Sequence, residues 1–277
     1  MSNEDERTDW KGWLEALEGE LEEGRDAPWL ERVADRVIDN ACLRRGESVL
    51  DLGAGTGLLT FRAARSVGPE GAVTALDSSP GCLETLERES AVMELGNILT
   101  VPGRLESLPF GPGEFDAVVC RSALVYADDL GVAVSELIRV LAPGGRFSVF
   151  EPLAGETAWT GEVSNDFLEL ERLLKESGGP RGADRDRLRT AFENAGPGEF
   201  ESLPVHFRHS MEGRSGEEIL EEYLHDLPGD LSALYILRGQ VPESKIMKTV
   251  GAFARAAAAG EVKGTLPCLF IRGTGVS

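Results

Sequence analysis

The segment 49–60 constrains the fold more than any other part of the chain, and it reads Val-Leu-Asp-Leu-Gly-Ala-Gly-Thr-Gly-Leu-Leu-Thr. Its apolar start predicts a buried strand, the glycines at 53, 55 and 57 predict a tight turn, and the residues after them predict the start of a helix. Glycine lets the backbone pass close to a bound ligand where a Cβ atom would collide. The segment therefore predicts a ligand site at the first turn of an α/β domain.

The charge next to this turn narrows the class of ligand. In the fingerprint of dinucleotide-binding proteins, Gly-x-Gly-x-x-Gly, backbone amides surround a pyrophosphate. Here Leu58 stands where the third glycine belongs, and Asp51 lies two residues before the first glycine. A carboxylate repels a pyrophosphate and attracts a cation. A cationic ligand is therefore favoured, and an NAD-dependent oxidoreductase remains a weaker alternative.

The region 47–153 alternates short apolar runs with amphipathic segments. This alternation predicts βαβ units, which form a parallel sheet with right-handed crossovers and bind ligands at the carboxyl ends of the strands. Five strands are predicted here, and two later in the chain make a sheet of seven. The predicted strands are 48–52, 72–76, 98–101, 115–120, 146–150, 200–207 and 266–272, and the helices between the first five are 57–66, 80–95 and 132–141.

Asp77 follows the second predicted strand, 20 residues after Gly57. A carboxylate at this position can accept hydrogen bonds from both hydroxyls of a ribose. Taken alone, an aspartate at a strand end is more often part of a turn or a helix cap. Together with Asp51 and the three glycines, it favours a ligand that contains adenosine.

Four segments, in this order along the chain, resemble motifs of the class I S-adenosylmethionine (SAM) methyltransferases. More specifically, they resemble the methyltransferase-domain family of the ubiquinone and menaquinone biosynthesis enzymes. The first segment is the turn at 53–57, which resembles the first motif of that family, and the second and third are Gly103–Phe110 and Glu114–Tyr126. The fourth is Pro143-Gly144-Gly145, which resembles the turn that closes the core of the family. The resemblance covers about residues 29–153, with a weaker echo near 266–271.

The resemblance implies a fold and a cofactor. The expected fold is α/β and Rossmann-like, with a doubly wound, mostly parallel, seven-stranded sheet, N-terminal helices and a helical lid insertion. The expected cofactor is SAM, which leaves as S-adenosylhomocysteine after methyl transfer to a small-molecule acceptor. The residues implied to bind the cofactor are Asp51, Gly53, Gly55, Gly57, Asp77, Ser78, Arg104, Leu105, Glu106 and Arg121.

Two departures from the family pattern bear on this assignment. Arg104 stands where the family has an aspartate that meets the adenine amino group. Because arginine cannot accept a hydrogen bond, it could stack on the base instead. Val125 and Tyr126 replace two histidines. The departures keep open an alternative in which the chain binds SAM without methyl transfer, as a pericyclase or a partner subunit.

The catalytic residues are harder to assign, because transfer from a sulfonium mainly requires alignment of the nucleophile and exclusion of water. Tyr126, after the fourth predicted strand, is a candidate for orienting a substrate. His206 is a candidate general base, because imidazole titrates near neutral pH. Both residues also have structural interpretations, the tyrosine as a packing aromatic and the histidine as a surface polar residue.

Composition limits the partners. The 277 residues include 48 acidic and 28 basic ones, and the net charge of −20 disfavours nucleic acid. The polar N-terminus does not resemble a secretory signal, and no apolar run approaches the ~20 residues of a membrane span. We therefore expect a cytoplasmic enzyme without nucleic-acid partner, membrane insertion or metal, either a monomer or a homodimer. The preference for arginine over lysine suggests a bacterial source.

Three domains are expected: an N-terminal helical cap over 1–42, a SAM-binding core over 43–153, and a helical lid over 154–277 that also carries the last two strands. Cys42, Cys120 and Cys268 lie in apolar stretches and are expected to be buried.

Overall fold

The computed structural model describes residues 27–177, 179–209, 211, 214–225 and 232–276. Its strands are β1 (Ser48–Leu52), β2 (Ala72–Asp77), β3 (Ile98–Pro102), β4 (Phe115–Arg121), β5 (Leu141–Pro152), β6 (Ala158–Gly161), β7 (Phe200–His209) and β8 (Val262–Thr274). Its helices are α1 (Ala27–Ala41), α2 (Thr60–Val67), α3 (Pro80–Val92), α4 (Leu130–Val140), α5 (Asn165–Glu176), α6 (Arg185–Ala195), α7 (Gly216–His225), α8 (Ala233–Arg238) and α9 (Glu243–Ala258). The part of the predicted N-terminal cap before residue 27, with Trp10 and Trp13, lies outside the described residues.

The strand order is β3-β2-β1-β4-β5-β8-β6, and β7 pairs with β8. The pairs β1–β2, β1–β4, β2–β3 and β4–β5 are all parallel. This is the expected α/β, Rossmann-like and mostly parallel fold. The order reverses direction at β1, and ligands of such sheets bind outside the carboxyl ends of the strands at that point.

The sheet of the described residues has eight strands, so the prediction of seven is wrong by one. The missed strand is β6, whose residues Ala-Trp-Thr-Gly are too few to show an alternating pattern. β6 pairs antiparallel with the start of β8, from Ala158↔Thr265 to Gly161↔Val262. Partner pairing therefore creates this strand, and no local sequence signal predicts it.

β5 begins earlier than predicted, at Leu141, because the Pro-Gly-Gly turn is taken up within the strand. Phe115 of β4 pairs with Leu141, whereas Ala117, two residues later, pairs with Arg146. The extra residues of β5 form an irregularity in which Gly144 has φ +71°. The turn residues thus offset the register rather than end the pairing.

Contacts divide the described residues into two compact units. One comprises 27–151, 185–204 and 269–276, and the other comprises 152–184 and 205–268. The three domains expected from the sequence stay a prediction. In the first unit, buried aliphatic side chains of the central strands form the core, among them Val49, Leu50, Val73, Val118 and Val119.

The second unit has an aromatic core around a buried carboxylate. Phe167 of α5 and Phe253 of α9 stack with ring centroids 3.9 Å apart, and Trp159 packs edge-on against both. The carboxylate of Glu171 accepts hydrogen bonds from the Trp159 indole N–H (2.8 Å) and from the Tyr223 hydroxyl. These bonds offset the desolvation of a carboxylate that is only 9% exposed.

Arg146 ties the end of α1 to the first unit. Its guanidinium donates to the carbonyl oxygens of Ala41 (2.7 Å) and Cys42 (2.8 Å), and it forms an ion pair with Glu47 at 2.5 Å. Cys42 itself is exposed and has φ +48°, so the prediction that it is buried is wrong. Its place after the helix end, and not its neighbours' hydropathy, decides its exposure. Cys120 and Cys268 are buried, as predicted.

Replacing Arg146 by methionine is expected to lower the free energy of unfolding by about 2–3 kcal/mol, because two carbonyls and a carboxylate lose a charged donor. Urea denaturation measures this change. The matched control is Arg189→Met, which removes a half-exposed i,i+4 pair with Glu193 and should change stability by less than ~0.5 kcal/mol. Equal effects of the two substitutions would contradict the anchoring role.

Candidate functional site

The carboxyl ends of β1 and β2 bring Asp51, Asp77 and the glycine-rich turn together. The backbone N–H groups of Gly53 and Ala54 both donate to the carbonyl oxygen of Leu76, at 2.8 and 3.0 Å. The Asp77 side chain accepts the N–H of Gly55 at 2.9 Å. These bonds join the turn after β1 to the end of β2, so the two predicted carboxylates share one edge of the sheet.

The turn requires glycine at two places for different neighbours. Gly53 has φ +68°, and a Cβ atom there would lie 2.3 Å from the Cβ of Ala123, which follows β4. Gly57 has φ +110°, and a Cβ atom there would lie 2.6 Å from the ring of Phe61. Gly55 also has a positive φ, of +54°. The turn therefore packs directly against the loop after β4 and against α2, which any side chain would prevent.

Asp51 is 1% exposed, and burial raises the pKa of its carboxyl to about 7. The Thr60 hydroxyl donates to this carboxyl at 2.6 Å and opposes the rise. The charge of Asp77 raises the pKa further, and the charge of Arg121 lowers it. A cation bound at the turn would favour the ionised form, so this carboxyl is poised to respond to one. The sequence analysis did not predict that Thr60, at the start of α2, donates to Asp51. Its spacing from Asp51 is the one signal in the sequence that could have indicated this contact.

Asp77 is only partly buried, and its carboxylate lies at the open edge of the sheet. Burial raises its pKa, while the hydrogen bonds from the N–H groups of Ser79 and Gly55 oppose the shift. Ser79 N donates to Oδ1 at 2.8 Å and Gly55 N donates to Oδ2 at 2.9 Å. The backbone of exposed Ser78 also hydrogen-bonds to this carboxylate and opposes the rise of its pKa. A carboxylate has about four acceptor positions, so capacity for a further donor remains.

The loop after β3 holds the predicted adenine-side residues. The Arg104 guanidinium forms ion pairs with Asp128 (2.5 Å) and with Glu106 (3.4 Å). The carboxylate of Glu106 also accepts the backbone N–H of Asp128 at 2.6 Å. Leu105 between them is half-buried. These contacts bind the loop after β3 to the loop after β4, and the sequence prediction did not include Asp128.

Arg121 is the last residue of β4, Tyr126 lies in the loop after it, and a buried carboxylate accepts hydrogen bonds from the backbone of that loop. Tyr126 is half-buried in a short 3₁₀ helix, Leu124–Tyr126. Glu151, at the carboxyl end of β5, is fully buried and accepts the backbone N–H groups of Ala123 (3.0 Å) and Leu124 (2.8 Å). Burial raises the pKa of Glu151 to about 7.

His206 is exposed on β7 and belongs to the second unit, whereas Asp51, Asp77 and Tyr126 belong to the first. Its role as a general base stays a prediction. Among the described residues, no three His, Cys, Asp or Glu side chains come together as ligands for a metal ion. No helix in the described ranges has the length and hydropathy of a membrane span.

Comparison with known proteins confirms the resemblance over the core. Residues 49–145 match a family model described as a methyltransferase domain. The chain is 39% identical over 110 residues to demethylmenaquinone methyltransferase from Staphylococcus aureus. These 110 residues cover 40% of this chain and 45% of the relative. The chain therefore spans less than half the length of the curated relative that it matches.

Solved structures share the fold. The YcgJ protein from Bacillus subtilis superposes with a TM-score of 0.57 at 20% identity, covering 88% of this chain and 98% of that chain. The [4+2]-cyclase SpnF superposes with a TM-score of 0.54 at 20% identity, covering 89% of this chain and 81% of that chain. Since one of these names describes a cyclase, the shared fold alone does not specify the reaction.

Gly53→Ala is expected to lower the free energy of unfolding by roughly 2–5 kcal/mol, because it combines backbone strain with a side-chain overlap at Ala123. Gly144→Ala is the matched control, since Gly144 has φ +71° and no atom within 4 Å of an added Cβ. It should cost only about 1 kcal/mol from strain. Urea denaturation compares the two, and equal losses would show that the approach to Ala123 is not tight.

Proposed function

We propose that this chain is a SAM-dependent methyltransferase that acts on a small molecule. The observation that carries the proposal is the placement of two carboxylates, Asp51 and Asp77, around a glycine-rich turn at the point where the strand order reverses. A nucleoside with a positive charge fits this arrangement, because the ribose meets a carboxylate and the cation meets a second one.

The residues at the turn fit this cofactor. The Asp77 carboxylate has about four acceptor positions and three backbone donors, so it keeps capacity to accept a ribose hydroxyl. Gly53, Gly55 and Gly57 allow the backbone to approach the cofactor closely. The backbone groups of Ser78 and Leu105 are proposed to contact it. Asp51 is covered by the turn, so it acts through its charge, and Arg121 balances part of that charge.

Arg104 joins the loops after β3 and β4, because its guanidinium is paired with Asp128 and Glu106. These ion pairs use the N–H groups in the plane of the guanidinium, so they are compatible with stacking of its face on adenine. Glu106 has a side chain that is only 17% exposed, and it carries a negative charge two residues after the position at which the family has its aspartate. Glu106 is therefore our candidate for accepting the adenine amino group.

The chemistry that SAM supplies when bound is a methyl group already activated by a sulfonium. The task of the chain is then to align the acceptor atom and to exclude water, and alignment alone can supply about 7–11 kcal/mol. Arg121, at the end of β4, and Tyr126, in the loop after it, are proposed to orient the acceptor. A general base is needed only where the acceptor must lose a proton; His206 stays a prediction for that role.

A small metabolite is the acceptor class that the charge supports, because a net charge of −20 repels nucleic acid. A cytoplasmic location follows from the same proposal. The name of the Staphylococcus aureus relative makes a demethylmenaquinone-type acceptor the first to test, although the match covers only the core. The residues that would select the acceptor carry no motif.

A second candidate is a SAM-binding protein that transfers no methyl group. The structural likeness to a cyclase and the replacement of two family histidines by Val125 and Tyr126 favour it. Release of S-adenosylhomocysteine during incubation with SAM and a metabolite extract separates the two, since only a methyltransferase forms it.

Calorimetry is expected to show binding of SAM and no comparable binding of NAD. Asp77→Ala should weaken SAM binding by about 10- to 100-fold, because the ribose loses a charged acceptor. The control is Asp35→Ala, which removes a largely exposed carboxylate on α1 and should leave the affinity unchanged. Absence of SAM binding by the parent protein would remove the proposal.

SAM affinity is also expected to depend on pH. Burial raises the pKa of Asp51 to about 7, so its carboxyl is almost fully ionised at pH 8.5 and largely neutral at pH 5.5. Lowering the pH over this range should therefore weaken binding by roughly tenfold, because the site loses negative charge while the ligand keeps its sulfonium. Asp51→Asn should flatten the profile, and a pH-independent affinity of the parent would contradict the role of Asp51.

A further inference from the structure

Glu151 is the fully buried carboxylate at the carboxyl end of β5, and no cofactor motif includes it. Its Oε1 accepts two consecutive backbone N–H groups, those of Ala123 and Leu124. Its Oε2 is buried and has no hydrogen-bond partner among the described residues. Burial of a carboxylate oxygen without a hydrogen-bond partner is unfavourable, so Glu151 lowers the stability of the folded state relative to a fully paired group.

The backbone next to the Glu151 carboxylate has an uncommon conformation at Ser122. Ser122 has φ +52°, a conformation that non-glycine residues rarely adopt. Its N–H donates to the carbonyl oxygen of Phe150 at 2.8 Å, next to Glu151 in β5. Two amides bonded to one carboxylate oxygen resemble an N-cap, and the 3₁₀ helix that ends at Tyr126 starts there.

The same backbone is fixed from the opposite direction by the glycine-rich turn. Ala123 packs against Gly53, where no side chain fits. The loop after β4 is thus held between a carboxylate of β5 and the turn of β1. Such a loop has little freedom to adjust, which suits the presentation of a substrate group at a fixed distance from a bound donor.

We infer that Glu151 is a positioning residue, which fixes the loop 121–126 so that Tyr126 is presented to the acceptor substrate. The inference rests on the proposed function for the role of Tyr126, whereas the bonds to Ala123 and Leu124 can be tested without any ligand. The inference requires only that Glu151 accepts hydrogen bonds from two backbone N–H groups. A glutamine side chain keeps one carbonyl oxygen, so it should serve in place of the glutamate.

Hydrogen exchange followed by mass spectrometry tests the first part, on peptides that cover 121–128. Glu151→Ala should accelerate exchange in these peptides by about 10- to 100-fold, because two amides lose a charged acceptor. Glu151→Gln keeps an acceptor oxygen and should restore most of the protection. Ser148→Ala is the control on the same strand, since its buried hydroxyl has no partner among the described residues and its loss should change nothing.

Turnover tests the second part, measured as S-adenosylhomocysteine formed from SAM and a metabolite extract. Glu151→Ala should lower kcat at least tenfold while the SAM Kd stays within about twofold, and Glu151→Gln should recover kcat. A residue that only stabilises the fold would lower both together and would not be rescued selectively. Unchanged exchange in Glu151→Ala, or no rescue by Glu151→Gln, would overturn the inference. Failure of the parent to bind SAM would overturn the proposed function and leave the exchange result intact.

Discussion

The hydrogen bond between Asp77 and the N–H of Gly55 is the constraint on which the candidate site depends. It joins the end of β2 to the turn after β1, so the Asp77 carboxylate contacts the backbone of the turn. The Asp51 carboxyl, in β1, accepts a hydrogen bond from Thr60 at the start of α2. The parallel arrangement of β1 and β2 makes the bond available, because it brings both carboxyl ends to one edge.

Burial of these carboxyls opposes folding, and this explains the number of donors around them. The Thr60 hydroxyl donates to Asp51, two backbone amides donate to Asp77, and two more donate to Glu151. A buried ionisable group contributes less to stability than an apolar group of similar shape. Three such carboxyls near the carboxyl ends of β1, β2 and β5 therefore mark this part of the sheet as a candidate functional site.

The sequence predicted the strands of the core and the positions of Asp51 and Asp77 near the ends of β1 and β2, because glycine spacing and apolar runs are local signals. The binding roles of the two aspartates stay predictions. β6 and the early start of β5 were not predictable in this way, since partner strands determine them. The partners of Arg104 and the exposure of Cys42 depend likewise on residues distant in sequence or on backbone conformation. A motif therefore locates a position in the fold, whereas the contacts of that position come from packing.

Arg104 illustrates this difference, and charge decides how it is interpreted. A cation in place of the family's aspartate would weaken a site for a cationic ligand if it stood alone. Asp128 and Glu106 both pair with it, so the loops after β3 and β4 keep a net negative charge together. The substitution thus changes how the loops are joined and preserves the sign of the charge at this edge. A cationic ligand responds to the summed charge of this region rather than to the identity of one residue.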